Sequence, residues 1–169
     1  MKLLLALLLT FPFVGRAQEC HLKKEVDKFT QQPKWTTGLL NFKQGKNPFS
    51  LIIDATASDI DFLFSLSSSG SSLCFNDAST AVVSFDSTRV KLTLHNGGTM
   101  NCDGYFHFNF RNTEPVPGNL QRLSAFKVNT IKFTNEKTVT EVSLDADQKK
   151  LLQDAIRCII QEAPTLNKH

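Results

Sequence analysis

Hydrophobic and polar residues alternate along most of the chain from about residue 39 onward. Side chains of a strand point alternately to opposite faces, so this pattern predicts strands with one buried face. The apolar positions that follow it are Leu40 and Phe42; Ile60, Phe62, Phe64 and Leu66; Ala81, Val83 and Phe85; and Val90, Leu92 and Leu94. A more continuous apolar run over 49–55 is typical of a strand covered on both sides, or of a barrel interior.

The breaks between these segments carry residues that favour turns, which predicts consecutive antiparallel hairpins. Asn96-Gly97 predicts a type I′ hairpin turn, because Asn and Gly tolerate the positive φ that both central residues need. Residues 112–119, with Pro115 and Pro117, predict an irregular loop. A helical turn is expected over 120–126, and two further strands over 128–134 and 138–144 form a hairpin.

The last segment changes to helical periodicity and predicts a C-terminal helix over about 146–161. Asp145 is a suitable N-cap and Gln148 completes a capping box. The apolar stripe of this helix is expected to pack on the sheet. The predicted fold is therefore mainly β with α: one antiparallel, strongly bent sheet or barrel of about seven to eight strands, closed by the C-terminal amphipathic helix.

The N-terminus has the organisation of a secretory signal peptide over residues 1–17. Lys2 precedes the apolar run 3–9, and small residues at Gly15 and Ala17 suit cleavage after Ala17. Pro12 and Arg16 interrupt the run, so no membrane span is expected in the mature chain. Residues 18–169 are then a single β-rich domain that is secreted or periplasmic. Lipidation of Cys20 is not expected, because it would require a small residue at position 19, which is Glu19.

Removal of the signal changes the charge balance. The full chain carries 19 basic and 16 acidic residues, and loss of Lys2 and Arg16 leaves 17 basic residues and a formal charge of +1. A near-neutral chain without a basic stripe lacks the main driving force for binding nucleic acid, so nucleic acid is not expected as a partner.

Four cysteines remain after signal removal, which in an exported chain predicts disulfide bonds. Their pairing stays open, because four cysteines allow three connectivities. No CxxC spacing occurs, so no zinc site is expected. One cysteine lies beside the apolar stripe of the predicted helix and is well placed to link it to the β core. The disulfide candidates are Cys20, Cys74, Cys102 and Cys158.

The segment 104–111 alternates phenylalanines with polar side chains, so one face is aromatic and the other polar. The polar row is a candidate ligand-binding surface, since it offers hydrogen bonds and a cation to an anionic or sugar-like ligand. The alternative is an ordinary strand whose polar side is solvated. This row, called the β8 row below, comprises Tyr105, His107, Asn109 and Arg111.

No constellation of an enzyme or a metal centre is apparent, so no catalytic residue, cofactor or metal ligand is assigned. His95, Cys102, Asp103 and His107 lie close in sequence, but their spacing matches no common metal site. The chain has no Gly-x-Ser-x-Gly. Asp59 and Asp61 share one face of a strand, which a solvated edge explains.

The chain contains 14 phenylalanines against one tryptophan and one tyrosine. They suit a packed core better than a ligand cavity lined by aromatic side chains. The order of elements resembles small secreted bacterial proteins to which no activity is assigned, and it is similar to pleckstrin-homology-like barrels, in which a terminal helix plugs one end. Lipocalins are less similar, because Trp35 follows Pro33-Lys34 and the Gly-x-Trp signature is absent.

These features favour a non-catalytic secreted domain that binds a small ligand or an extracellular protein. Two alternatives stay open. One is a secreted hydrolase with an unfamiliar arrangement of His107, Asp103 or His95, which requires these groups to converge in a cleft. The other is a structural or inhibitory envelope protein.

Overall fold

The computed structural model describes residues 20–43, 47–67, 73–86, 88–136 and 138–167. The predicted signal peptide at 1–17 lies outside these residues. Of the described residues, 42% lie in strands and 22% in helices, which confirms the predicted, mainly β class. The C-terminal helix is also confirmed.

The described chain contains ten strands, two α-helices and a short 3-10 helix. The strands are β1 (Lys23–Val26), β2 (Pro33–Thr36), β3 (Leu40–Phe42), β4 (Phe49–Ala55), β5 (Asp59–Leu66), β6 (Thr80–Phe85), β7 (Lys91–His95), β8 (Tyr105–Arg111), β9 (Val128–Thr134) and β10 (Val139–Ser143). The helices are α1 (Gly118–Ala125), α2 (Ala146–Glu162) and the 3-10 helix (Ala163–Asn167).

The strands form two antiparallel sheets. Sheet I has the order β1-β2-β4-β5-β8, and β3 also pairs with β4. Strands β2 and β3 pair with different parts of the same edge of β4. Thr36 of β2 lies opposite Asp54 near the end of β4, and Phe42 of β3 lies opposite Phe49 at its start. Sheet II has the order β10-β9-β6-β7.

Neither sheet closes on itself among the described residues, so a barrel is not shown. Instead of one sheet of about seven to eight strands, these residues form two sheets with ten strands. The predicted hairpin between β7 and β8 is also wrong, since β7 pairs with β6 and β8 pairs with β5. The chain crosses from sheet II to sheet I between these strands. Asn96 is buried there, and its side chain forms hydrogen bonds with backbone groups of Asn76 and His107. Among the described residues, positive φ values occur at Gln31, Gly38 and Gly104 instead.

Phenylalanine rings fill the space between the two sheets. Phe133 of sheet II is fully buried, with its ring centroid 5.3 Å from that of Phe64 and 5.1 Å from that of Phe106 in sheet I. Phe75 adds a third ring, 6.3 Å from Phe133. The alternating phenylalanines therefore join the two sheets through one shared core, as expected for a packed interior.

Helix α2 begins at the capping box predicted for it. The Asp145 carboxylate accepts a hydrogen bond from the Gln148 backbone N–H at 2.9 Å, and the Gln148 side chain accepts one from the Asp145 N–H at 3.0 Å. Ile156 and Ile159 are buried against the core. The Gln153 amide donates to the Ser124 carbonyl at the end of α1, which fixes the two helices to each other.

Two disulfides settle the cysteine pairing that the sequence left open. Cys20 bonds Cys158, which ties the residues before β1 to α2, and Cys74 bonds Cys102. The linkage of the helix to the β structure is thus confirmed. Two disulfides suggest an oxidising environment, extracellular or periplasmic. Within the described ranges, neither α-helix has the length and apolar character needed to cross a bilayer.

Candidate functional site

The β8 row lies on the face of sheet I that points away from sheet II, called the outer face below. Strand β8 buries Phe106, Phe108 and Phe110 between the sheets, so the intervening side chains point outward. Tyr105, Asn109 and Arg111 are exposed, whereas His107 is half-buried. The alternation seen in the sequence therefore places all four predicted residues on one surface.

Pairing across the strands extends this row over sheet I. On the outer face, Asn109 lies opposite Asp61 of β5, which in turn lies opposite Asp54 of β4. The same register places His107 opposite Leu63, and Leu63 opposite Ile52; it also aligns Tyr105, Ser65 and Ser50. Opposed side chains in a sheet have Cβ atoms about 5 Å apart, so these residues form one continuous surface.

Each of the two aspartates on this surface lies beside a basic side chain. Lys34 Nζ lies 2.6 Å from Asp54 Oδ2, and His107 Nδ1 lies 3.4 Å from Asp61 Oδ2. The hydrogen bond with Asp54 raises the pKa of Lys34. The hydrogen bond with Asp61 likewise raises the pKa of His107, against the opposing effect of its partial burial. These partners offset the repulsion expected between two carboxylates placed opposite each other.

The second oxygen of each carboxylate has no partner. Asp54 Oδ1 and Asp61 Oδ1 are both shielded from solvent, and neither forms a hydrogen bond with the described residues. Buried polar atoms without a partner are uncommon in folded proteins, and each calls for an explanation such as a bound molecule. Here both atoms are acceptors, and they belong to directly opposed residues.

His107 is held in place by the segment that crosses between the sheets. The Asn96 side chain accepts a hydrogen bond from the His107 N–H at 2.9 Å, and the Gly97 N–H donates to the His107 carbonyl at 2.9 Å. A Cβ atom on Gly98 would lie 2.9 Å from Cδ2 of the imidazole, so glycine at this position leaves room for the ring. The crossing segment thus covers the free edge of β8 and positions its histidine.

Sequence reasoning found the β8 row but missed the residues that complete the surface. The sequence pattern marks Asp61 only as a member of an acidic pair with Asp59, and it does not mark Asp54 or Lys34 as site residues. Their proximity depends on strand register, which hydrophobic alternation does not specify between strands. The predicted half of the surface lies on one strand, and the missed half lies on its neighbours.

Among the described residues, no hydrogen bond or ion pair joins His107, His95 or Asp103 of the hydrolase alternative to one another. His107 pairs with Asp61, whereas His95 lies opposite Thr80 in sheet II and Asp103 lies in the bend before β8. Within the described part of the chain, no group of three or more His, Cys, Asp or Glu residues is arranged to hold a metal ion.

Two cavities lined by described residues lie apart from Tyr105, His107 and Asn109. Arg111 lines a cavity of only about 10 Å³, together with Asn112 and Leu120 of α1. A larger groove of about 330 Å³ lies between the residues before β1, strand β3 and α2, and is called the α2 groove below. Its apolar lining comes from Leu22, Leu40, Leu151 and Ala155, and the Cys158 disulfide forms one wall.

Comparison with known proteins finds no matching protein family, no similar curated protein and no similar solved structure.

Proposed function

We propose that this protein is a non-catalytic, extracytoplasmic binding module, and that the outer face of sheet I binds a hydroxyl-rich, saccharide-like ligand. The observation that carries the proposal is the opposed carboxylate pair Asp54 and Asp61, in which one oxygen of each, Oδ1, has no hydrogen-bond partner among the described residues. Because both Oδ1 atoms are shielded in this conformation, a ligand reaches them when neighbouring side chains of the face move. Both oxygens accept hydrogen bonds, so a ligand that satisfies them must bring donors. Hydroxyl groups do so without carrying charge.

The charges on this face favour a neutral ligand. Four acidic groups and four basic groups are interspersed over the surface, so neither a cation nor an anion meets a uniform field of opposite sign. The acidic groups are Glu25, Asp54, Asp59 and Asp61, and the basic groups are Lys23, Lys34, His107 and Arg111. Specific hydrogen bonds, rather than net charge, would then select the ligand.

The remaining side chains of the face suit a molecule with both polar and apolar edges. Asn109 and Tyr105 are exposed and can both donate and accept hydrogen bonds. Ile52 and Leu63 form a half-buried apolar strip between these polar rows. A sugar ring presents hydroxyls at its rim and C–H groups on its faces, which matches this alternation.

The dimensions favour a short chain of sugars over a single ring. Strands β3, β4, β5 and β8 lie side by side, and three spacings of about 4.8 Å give a surface about 14 Å across. Such a surface is open instead of enclosed, so several rings could lie across the strands. A secreted or periplasmic location, which the signal peptide prediction favours, would bring the face into contact with extracellular or envelope saccharides.

The experiment is a binding screen of the oxidised protein against immobilised neutral and acidic oligosaccharides. We expect retention by a neutral oligosaccharide, and loss of that retention in Asp61→Asn and Asp54→Asn, which each replace an acceptor-only group. Thr93→Ala is the matched control, because Thr93 is exposed on the outer side of the other sheet. No retention by any saccharide, or equal retention by all variants, would contradict the proposal.

A further inference from the structure

The β1–β2 hairpin presents features that the proposed ligand face does not use. Strand β1 lies at one end of sheet I, and all four of its residues are exposed. Among the described residues, nothing pairs with its outer edge. An exposed edge strand offers unpaired N–H and C=O groups to another strand.

The turn of this hairpin carries an apolar side chain that is exposed to solvent. Phe29 is 96% exposed, although Phe is among the residues most often buried. The turn is nevertheless well braced: Asp27 Oδ1 accepts hydrogen bonds from the N–H groups of Phe29 and Thr30 at 2.9 and 2.8 Å. The ring is therefore held away from its own core by a turn of defined shape.

Only every second residue of β1 directs its backbone N–H and C=O groups toward the open edge. The Asp27 N–H donates to the Gln32 carbonyl at 2.8 Å, toward β2. Residues of an antiparallel strand alternate in the side to which their backbone groups point, so those of Lys24 and Val26 point to the open edge. A second copy of β1 can pair antiparallel with this edge if its Lys24 lies opposite Lys24.

We propose that two copies of this chain associate through their β1 edges, paired antiparallel about Lys24, with Phe29 of each copy seated in the α2 groove of the other. In this register Lys23 lies opposite Glu25 of the second copy, and Leu22 lies opposite Val26. Opposed pairs of unlike charge and of apolar side chains stabilise an antiparallel ladder. Each pair occurs twice by symmetry, as a two-fold interface requires.

The two Lys24 side chains that meet at the two-fold axis are kept apart. Lys24 faces Lys24 of the second copy, but its Nζ lies 5.6 Å from the centre of the Trp35 ring on its own β2. This contact draws each ammonium away from the axis and toward its own sheet. The formal charge of +1 on residues 18–169 gives little overall repulsion between copies.

The same register carries Phe29 to the groove. Leu22 of the second copy lies opposite Val26, the last residue of β1, and Phe29 lies in the turn that follows, so its side chain extends past the end of the strand pair. The ring thus reaches just beyond Leu22 of the second copy, toward its Cys20. Leu22 lines the α2 groove, and Cys20 bonds the groove residue Cys158. A groove of about 330 Å³ has room for a phenyl ring.

The test is analytical ultracentrifugation of the oxidised protein from about 1 μM to about 500 μM. An interface to which each copy contributes one short strand and one ring is small, so we expect a dimer with Kd of about 10–100 μM. Lys23→Glu and Glu25→Lys should each raise Kd about tenfold or more, and the double variant Lys23→Glu/Glu25→Lys should restore it, because the cross-copy pair is then reversed.

Two variants test the ring and its seat. Phe29→Ala and Ala155→Phe, which fills the groove, should each weaken the dimer, whereas Met100→Ala, at another exposed apolar position, should not. A monomer over the whole range would overturn the proposal, as would a dimer that is unaffected by Lys23→Glu and Phe29→Ala. Binding of a monomer to vesicles containing anionic lipid, lost in Phe29→Ala, would overturn it in favour of a membrane surface.

Discussion

Asp61 and His107 form a cross-strand ion pair on the outer face of sheet I, with 3.4 Å between Oδ2 and Nδ1. The pair links the strand that the sequence marked as a candidate site to a strand that it did not. It also leaves Asp61 Oδ1 without a partner, beside the equally unpartnered Asp54 Oδ1. Both the electrostatics and the proposed binding of this face depend on this arrangement.

The pair predicts a pH dependence of stability. The hydrogen bond with Asp61 raises the pKa of His107 in the folded state, so protonated His107 stabilises the fold. That contribution is present below the ordinary histidine pKa of about 6.5 and is lost as the pH rises through the folded pKa. Urea unfolding should therefore show a larger stability difference between wild type and His107→Gln near pH 6 than near pH 8.

Asp61→Asn is the control for this effect. It keeps the histidine but removes the carboxylate that raises its pKa and leaves the burial that lowers it, so the wild-type loss of stability between pH 6 and pH 8 should disappear. A pH dependence in Asp61→Asn equal to that of wild type would show that another group is responsible.

Gly98 and Gly97 give a matched pair of substitutions. A Cβ on Gly98 would lie 2.9 Å from His107 Cδ2, so Gly98→Ala should turn the ring away from Asp61 and lower the His107 pKa toward its ordinary value. Gly97→Ala should leave it raised, because the nearest atom to its Cβ is Asn109 Cγ at 3.8 Å. Histidine ring signals followed by NMR against pH measure both, and equal pKa values in the two variants would contradict the account.

The two disulfides should contribute unequally to stability. Cys20 and Cys158 are separated by 138 residues, and Cys74 and Cys102 by 28. Loop-closure entropy then predicts roughly 5 kcal/mol for the first bond and roughly 3.6 kcal/mol for the second. Chemical denaturation of Cys20→Ser/Cys158→Ser and Cys74→Ser/Cys102→Ser tests the order, and a larger loss on removing the shorter loop would contradict it.

Phe133 should be a principal link between the sheets, because its ring contacts rings of both Phe64 and Phe106. Phe133→Ala is expected to cost about 3–5 kcal/mol of unfolding free energy. Phe126 contacts Phe85 but is 47% exposed, so Phe126→Ala should cost clearly less. Urea denaturation compares the two variants, and equal losses would argue against a core centred on Phe133.

Local patterns predicted the elements better than their assembly. The alternation of apolar and polar residues predicted the positions of strands such as β5 and β6. The capping residues Asp145 and Gln148 predicted the start of α2. Strands β1 and β2 were missed, since β1 is exposed on both faces and has no apolar alternation to detect. Both the open arrangement of the sheets and the cysteine pairing depend on contacts between distant segments.

The turn at Asn96 shows why such contacts override local preference. Asn96-Gly97 suits a tight hairpin, yet the Asn96 amide donates to the Asn76 carbonyl and its oxygen accepts from the His107 N–H. These bonds join three separate segments and carry the chain from one sheet to the other. The candidate surface was half predicted for the same reason, because the partners of the β8 row come from other strands.

The most direct test of the proposed binding face is an NMR titration of the oxidised, ¹⁵N-labelled protein with a neutral oligosaccharide selected by the screen. The account predicts that amide shifts concentrate at Asp54, Asp61, His107 and Asn109, and that Asp61→Asn abolishes them while Thr93→Ala does not. Shifts confined to the outer side of sheet II or to the α2 groove, or undiminished shifts in Asp61→Asn, would contradict it.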